Sequence, residues 1–218
     1  MPPSGLSPRF ENGATSHERH RMSYTRVDHL DDVGNALLEA ADTLLATEGA
    51  SALTVRRIAT VAGMSTMNVY SRFGGKDGVV EHLFSHGFAL LAEAMNGVPE
   101  TDDTMLDLSI CGEAYRRFAL DHATLYGVMF DRVVADYVPT PQAQAAALGT
   151  LHLLAARLQR AMDAGILRQM DAAHAAAIVW SACHGVISLQ LKHQQLEYVD
   201  WQQVYYDATA AVILGLAP

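Results

Sequence analysis

The chain of 218 residues has few cysteines, few lysines and few aromatic residues. Its only cysteines, Cys111 and Cys183, lie within apolar helical patterns and have no basic neighbour in sequence. A redox-sensing thiol needs exposure and a lowered pKa. We therefore expect two buried small hydrophobic side chains, and neither a disulfide nor a sensor.

Strand, membrane and export signals are also missing. No Val/Ile/Thr-rich alternating segment is bounded by turns, and no uninterrupted apolar run approaches the roughly 20 residues that cross a bilayer. The N-terminus lacks the apolar segment of a secretory signal. We expect an all-α, soluble, cytoplasmic protein without a membrane partner. The composition of residues 1–28 predicts a disordered tail. Three of its arginines, Arg19, Arg21 and Arg26, either are solvated or form an arm that reaches a DNA minor groove.

The sequence likewise lacks the common catalytic motifs. It has neither a Gly-rich phosphate loop nor a G-x-S-x-G segment. His82 and His86 are one helical turn apart beside Glu81, but the order is not H-E-x-x-H and no third ligand follows at a suitable spacing. A solvated or interhelical pair is the favoured interpretation. We expect no enzyme activity, no cofactor and no metal site.

Apolar residues recur at helical spacing along most of the chain. Asp31 or Asp32 can begin a first helix, and Gly or Pro residues follow several of the later ones. The later helices are apolar over broad arcs, as in a bundle that also pairs with a second copy. The predicted helices are 31–47, two short ones within 54–73, 76–95, 104–121, 123–136, 141–164, 171–196 and 200–215.

The most informative segment is 54–84. A short helix is indicated by an apolar face at helical spacing, formed by Val55, Ile58, Ala59 and Ala62. Gly63 can close that helix with a positive φ, and Ser65 can cap a second helix that reaches about Phe73. Two short helices joined by such a turn form a helix-turn-helix, whose second helix enters a DNA major groove.

The charges of this segment favour DNA binding over the alternative of an ordinary solvated helical hairpin. Residues 51–76 contain four basic residues and no Asp or Glu. Because the whole chain has a formal charge of −9 and this window carries +4, the remainder carries −13. A local basic surface on an acidic protein suits phosphate binding.

These residues resemble the TetR family of bacterial transcriptional repressors over about 31–216. The segment LTVRRIATVAGMSTMNVYSRFGGKDGVV carries its marks, namely Thr54, Ile58–Ala59, Ala62–Gly63, Tyr70, Phe73 and Lys76. Residues 115–130 and 180–191 resemble the ligand-binding domain of one branch, which has a Trp-His-Gly signature at Trp180, His184 and Gly185. The resemblance implies a DNA-binding domain at 29–75, a connecting helix at 76–98 and a ligand-binding and dimerisation domain at 99–218.

The segment departs from the family pattern at its C-terminal joint. Gly74 and Gly75 replace a stiffer turn, and Gly78 lies early in the next helix, where glycine costs roughly 1 kcal/mol relative to alanine. These residues suggest a loose joint between the recognition helix and the connecting helix. Arg57 replaces an acidic or small residue and adds a possible phosphate contact.

The outer face of the second short helix supplies the candidate DNA contacts, while Val69 and Phe73 face the core. Thr66 and Asn68 can bond base edges, and Met67 can meet a thymine methyl. Tyr70 suits a phosphate contact, and the alternative is a core tyrosine with a solvated hydroxyl. The alternative for Met67 is an exposed apolar residue without a function. Arg72 can contact either a phosphate or a guanine. The full set is Thr54, Arg56, Arg57, Ser65, Thr66, Met67, Asn68, Tyr70, Ser71, Arg72 and Lys76.

Aromatic and soft side chains concentrate in the two C-terminal signatures. They predict an apolar pocket with a few polar groups, although each residue alone could be ordinary core. The candidates are Tyr115, Phe118, Tyr126, Met129, Phe130, Trp180 and His184. The helices predicted at 171–196 and 200–215 are rich in alanine and apolar side chains and suit a dimer contact.

The resemblance implies a homodimeric repressor that binds a palindromic DNA operator and is released by a small, largely apolar effector. A second hypothesis is a dimeric helical protein that binds small molecules without reading DNA. Its support is the acidic net charge and the glycine-rich joint at 74–78.

Overall fold

The computed structural model describes residues 27, 29–193 and 196–218, and within them the chain is all helical, as predicted. The described residues contain nine α-helices and one 3-10 turn at Ala50–Ala52. The helices are α1 Asp32–Glu48, α2 Val55–Val61, α3 Thr66–Phe73, α4 Lys76–Asn96, α5 Thr104–Asp121, α6 Ala123–Phe130, α7 Pro141–Asp163, α8 Ala172–Lys192 and α9 Trp201–Gly215. The predicted tail, including Arg19, Arg21 and Arg26, lies outside the described residues except for Val27.

Two predicted helix ends are wrong. The helix expected at 123–136 ends at Phe130, and residues 131–140 form a connection in which Arg132 has a positive φ of 50°. Glu81 of α4 holds this connection by accepting hydrogen bonds from the hydroxyls of Tyr137 and Thr140. The helix expected at 171–196 ends at Lys192, whose ammonium group is paired with Asp131 at 2.9 Å. Both helices therefore end before the predicted positions, and contacts between distant residues hold the segment after α6 and the last residue of α8.

Short polar side chains mark most helix starts. Each accepts a hydrogen bond from the backbone N–H three residues later, which satisfies a donor that has no partner inside the helix. The capping residues are Asp31, Thr54, Asp103, Thr140, Asp171 and Asp200. These caps explain why most helices begin within a residue of the predicted position.

Helices α1 to α3 pack together and against the start of α4. Val69 and Phe73 of α3 are buried, as predicted, together with Ile58 of α2 and Leu37 and Leu44 of α1. This core leaves the opposite face of α3 on the surface. We call the unit formed by α1 to α3 the head. Helix α4 leads from the head into the remaining helices α5 to α9, the bundle, where it packs against α5, α6 and α7.

A buried arginine fastens the far end of α4. The Arg157 guanidinium of α7 donates to the backbone carbonyls of Met95, Val98 and Pro99, at 2.9, 2.8 and 3.2 Å. A cation is favourable at a helix C-terminus, where the last carbonyls have no intrahelical partner. Helix α4 is therefore held at one end by the head and at the other by α7.

Helix α8 packs between α7 and α9 and is the most apolar long helix. By length and composition it could cross a membrane, with a mean hydropathy of 1.4, but a core helix of a soluble protein passes the same test. Of the 18-residue apolar stretch of α8 that passes this test, 33% is buried within one chain. Much of the apolar surface of α8 is thus left uncovered by its own chain.

Candidate DNA-binding and ligand-binding sites

The outer face of α3 presents a continuous set of exposed side chains. Val69 and Phe73 turn inward, so Thr66, Met67 and Ser71 face solvent. Met67 is 69% exposed and Tyr70 is 55% exposed, which excludes a core role for Tyr70. An exposed methionine and tyrosine on one short polar helix form a surface of the shape and chemistry that a DNA groove accepts.

Thr54 and Ser65 begin the two short helices in different ways. The Thr54 hydroxyl accepts the backbone N–H of Arg57 at 3.3 Å and so caps α2. Helix α3 begins directly after Ser65, but the Ser65 hydroxyl caps no backbone N–H. It accepts instead from the side-chain amide of Asn68 at 3.3 Å. The predicted capping bond of Ser65 is therefore wrong, although its position is right.

Arg72 is bound within the head. Its Nε donates to Asp31 Oδ1 at 3.0 Å, its Nη2 donates to Asp31 Oδ2 at 2.6 Å, and its Nη1 donates to Asn68 Oδ1 at 3.1 Å. The hydrogen bond from Arg72 is the main cause that lowers the pKa of Asp31 to about 2. Arg72 thus orients Asn68 and ties α3 to the start of α1. Asp31 was expected only as a helix cap.

The other cations differ in their surroundings. Arg57 forms an ion pair with Glu48, and both side chains are about half exposed. Within the described part of the chain, Arg56 and Lys76 form no ion pair. Arg56 is exposed on α2, and Lys76 is the first residue of α4, directly beyond α3. The basic residues therefore bracket α3 on both sides.

The joint between α3 and α4 is tightly packed, which contradicts the loose joint expected from its glycines. Gly74 and Gly75 have φ of 71° and 145°, which favour glycine. A Cβ placed on Gly78 would lie 1.7 Å from the backbone oxygen of Phe73. Glycine is therefore required here because the last turn of α3 rests directly on the first turn of α4.

A chain of hydrogen bonds joins the two C-terminal signatures. Trp180 Nε1–H donates to Tyr115 Oη at 3.2 Å, Tyr115 Oη lies 2.8 Å from Tyr126 Oη, and Tyr126 Oη lies 2.6 Å from His184 Nδ1. His184 Nε2 lies 3.3 Å from the Ser188 hydroxyl. Residues that are far apart in sequence thus form one network between α5, α6 and α8.

Only the first bond of this network has a fixed direction. The indole N–H of Trp180 can only donate, so Tyr115 accepts from it. In the Tyr115–Tyr126 and Tyr126–His184 bonds either partner can be the donor, according to the tautomer of the imidazole. Burial lowers the pKa of His184 and raises the pKa of Tyr126, so both groups are neutral near pH 7.

Two cavities adjoin this network. The larger, of about 440 Å³, lies between α5, α8 and α9, and the smaller, of about 190 Å³, lies between α4 and α7. Tyr115 and Trp180 line both, and Phe130 lines the smaller one. Tyr126 and His184 support these walls from behind. Phe118 and Met129 are buried elsewhere: Phe118 lies against His122, and Met129 lies against Gly87.

Several cavity residues were not predicted. The larger cavity is also lined by both cysteines, whose thiol pKa values are raised by burial. Helix α9 contributes much of another wall, and Met95 at the end of α4 lines both cavities. The apolar arcs of α9 and α7 were the available indication in the sequence, but the arc of α9 suited a dimer contact equally well. The missed residues on these helices are Ala147, Leu148, Thr150, Leu151, Leu154, Tyr205, Tyr206, Thr209, Ala210 and Ile213.

His82 and His86 lie apart from both sites. His82 Nδ1 is 2.8 Å from the backbone oxygen of Gly78, and its ring meets Phe73 edge-on. His86 is buried on the same helix. Among the described residues, no group of three or more His, Cys, Asp or Glu side chains is placed to hold a metal ion.

Comparison with protein families agrees with this division into head and bundle. Residues 37–83 match the family described as bacterial regulatory proteins, tetR family, and residues 108–211 match the tetracyclin repressor-like C-terminal domain. The chain carries both domains of the TetR family. TetR-family regulators bind DNA and small-molecule ligands and function as dimers. A search of curated protein sequences finds no significant match.

Several solved structures share the fold, and one of them is a TetR-family transcriptional regulator. PfmR from Thermus thermophilus has a TM-score of 0.68 and 22% identity, covering 84% of this chain and 99% of its own. The fatty acid degradation regulator FadR from Bacillus halodurans has a TM-score of 0.71 and 17% identity, covering 87% and 98%. SmeT, solved in complex with triclosan, has a TM-score of 0.63 and 18% identity, covering 86% and 93%. PfmR is a TetR-family transcriptional regulator and FadR a fatty acid degradation regulator, and transcriptional regulators are generally not enzymes.

Proposed function

We propose that this TetR-family protein is a cytoplasmic repressor that binds a palindromic operator as a homodimer and is released by a small, largely apolar effector. One observation carries the proposal. Helix α4 begins at Lys76, directly beyond the exposed recognition helix α3, and its end contributes Met95 to both cavities. A single helix therefore joins a DNA-reading surface to a ligand-sized apolar space.

The exposed residues divide into base-reading and backbone-holding groups. Thr66, Met67 and Asn68 lie at the start of α3, which is the end that a helix-turn-helix inserts into the major groove. Arg56, Tyr70 and Lys76 suit phosphates, as do Thr54, Ser65 and Ser71. Arg57 and Arg72 reach DNA only by leaving Glu48 and Asp31. We therefore assign them smaller roles in direct contact.

Effector release requires that the ligand favours one spacing of the two heads. Both cavities touch α4 only at its distal half, through Met95 and, in the smaller cavity, Phe88 and Leu91. A ligand that displaces these side chains tilts α4. Helix α3 moves with α4, because Gly78 packs directly against the backbone of Phe73. Coupling of about 1–3 kcal/mol is typical of such systems.

The dimer contact is assigned to α8 and α9. Their outward faces carry exposed apolar side chains, including Leu189, Val204 and Leu214, between small residues that allow close approach. Two such helices from each copy make a four-helix bundle, which would cover the uncovered face of α8. The signature at Trp180, His184 and Gly185 supports placing the chain in the Trp-His-Gly branch of the family.

Selection of bound sequences from random duplex DNA at near-physiological salt tests this function. Recovery of a palindrome with half-sites about one helical turn apart supports a dimeric operator-binding protein. If no sequence is enriched, while the protein remains dimeric and still binds apolar ligands, the alternative of a helical ligand-binding protein replaces it.

A further inference from the structure

The walls of the two cavities are uncharged. Neither cavity is lined by an Asp, Glu, Lys, Arg or His side chain among the described residues. A charged ligand group placed there would lose its hydration without gaining a counter-charge, which is strongly unfavourable. The site therefore selects neutral molecules.

Most polar groups of the cavity walls are already hydrogen-bonded within the protein. The Thr209 and Thr150 hydroxyls donate to backbone carbonyls one turn earlier, at 2.8 and 2.7 Å. Tyr205 and Tyr206 donate to Gly112 and Glu113, at 2.7 and 2.9 Å. Ser109 belongs to the larger cavity but is exposed. The interior thus offers few groups for a polar ligand.

The two cavities share one wall. Four side chains line both of them, and they are Met95, Tyr115, Leu154 and Trp180. Tyr115 is held from two sides, because it bonds both Trp180 and Tyr126. The Trp180 indole makes a single hydrogen bond within the described residues, at 3.2 Å, and its side chain is only partly buried. Of the two hydrogen-bonded members of this wall, Trp180 is therefore the less restrained.

We propose that the site takes a neutral, elongated molecule whose two apolar arms fill the two cavities. A carbonyl or ether oxygen partway along the molecule accepts the Trp180 Nε1–H at the shared wall. When Trp180 turns aside to join the cavities, its partly buried N–H loses Tyr115 as acceptor and needs another. The inference deepens the proposed function, because it names the chemical class of the effector.

Direct binding without DNA tests this ligand class. The chain has two tryptophans, so a Trp201→Phe variant of the full chain leaves Trp180 as the sole indole reporter. The probes are 6-undecanone, undecanoate and the compact ketone cyclooctanone. We expect 6-undecanone to change the Trp180 emission and to bind at least about tenfold more tightly than either of the others. Equal or tighter binding of undecanoate overturns the proposal.

A pair of variants on α7 tests whether both cavities are used. Ala147 lines the smaller cavity, whereas Ala145 lies two residues earlier, is exposed and lines neither. Ala147→Phe should weaken 6-undecanone binding at least about tenfold and leave cyclooctanone binding within about twofold, and Ala145→Phe should change neither. Unchanged 6-undecanone affinity in folded Ala147→Phe contradicts a two-cavity ligand.

A third variant tests the hydrogen bond. Trp180→Phe keeps an aromatic wall but removes the donor, so the preference for 6-undecanone over undecane should shrink about tenfold, as measured by calorimetry because the indole reporter is gone. An undiminished preference overturns the role of Trp180. These binding assays contain no DNA. If the operator selection fails, the proposed regulator function is lost, but the ligand class can still be confirmed by these assays. Specific operator binding without the expected ligand preferences overturns the inference alone.

Discussion

Arg72 of the recognition helix grips both carboxylate oxygens of Asp31, at 3.0 Å from Nε to Oδ1 and 2.6 Å from Nη2 to Oδ2. Asp31 also caps α1 through the backbone N–H of Gly34 at 2.7 Å. One carboxylate therefore begins the first helix and restrains the third. The same contact occupies a cation on the helix that we propose to enter DNA.

Replacing Asp31 by Asn should increase non-specific DNA binding. Asparagine keeps the capping oxygen but removes a negative charge and releases the Arg72 guanidinium. We expect tighter binding to random duplex and a salt dependence steeper by about one ion. Fluorescence anisotropy over a salt series measures both quantities. Weaker binding to random DNA would mean that the ion pair is needed to present α3.

The two groups of DNA contacts should respond differently to alanine. Lys76→Ala should weaken binding to all duplexes and lower the salt slope by about one, because a phosphate contact carries no sequence information. Asn68→Ala should cost about 1–3 kcal/mol at one base position and spare random DNA. The only other lysine provides the control, and Lys192→Ala should leave both values unchanged. Identical profiles for Lys76→Ala and Asn68→Ala would contradict the division.

Gly78→Ala should damage the head although alanine favours helices. Its Cβ would lie 1.7 Å from the Phe73 oxygen, so α3 and α4 must separate. We expect a loss of about 1–3 kcal/mol in the free energy of unfolding and weaker operator binding. Gly149→Ala in α7 is the matched control, since its Cβ meets nothing within 4 Å. That variant should gain up to about 1 kcal/mol from helix propensity. Equal stability of the two variants would refute the tight joint.

The His184 network should make stability depend on pH. Burial lowers the folded-state pKa of His184 below 6.5, so the unfolded chain takes up a proton first. Its contribution is therefore present above pH 6.5 and is lost as the pH falls through the folded-state pKa. His184→Asn keeps a hydrogen-bonding partner for Tyr126, because an amide can donate or accept, but it cannot titrate. The midpoint of its urea unfolding should therefore fall less than the wild-type midpoint between pH 7.5 and 5.5.

Two comparisons complete this pH experiment. His122 also has its pKa lowered by burial, so the wild-type decline is shared and only the difference between variants reports His184. The exposed His193 supplies the control, and His193→Asn should follow the wild-type curve. Parallel curves for wild type and His184→Asn would show that His184 does not contribute to the pH dependence.

Local patterns in the sequence predicted much of the fold. Apolar spacing identified Val69 and Phe73 as buried, and short polar residues marked the helix starts. Contacts between distant residues were not accessible in this way. Asp31 and Arg72 are 41 residues apart, and Glu81 is 56 and 59 residues from its partners Tyr137 and Thr140. No periodicity encodes such pairs.

The ligand site shows the same limit. Tyr115, Phe130 and Trp180 were predicted from a family resemblance and do line the cavities, whereas Phe118 and Met129 share that segment and pack elsewhere. Which aromatic residue lines a cavity depends on how the helices rotate against one another. That rotation is set by the whole packed core, and no single helix contains the information.

The most direct test of the central claim is the affinity of purified protein for a selected palindrome and for a shuffled duplex of equal composition, measured at the same near-physiological salt. The account predicts that the palindrome binds at least about a thousandfold more tightly, as dimeric operator-binding proteins do. Equal affinity for the two duplexes, from a folded dimer, would contradict it.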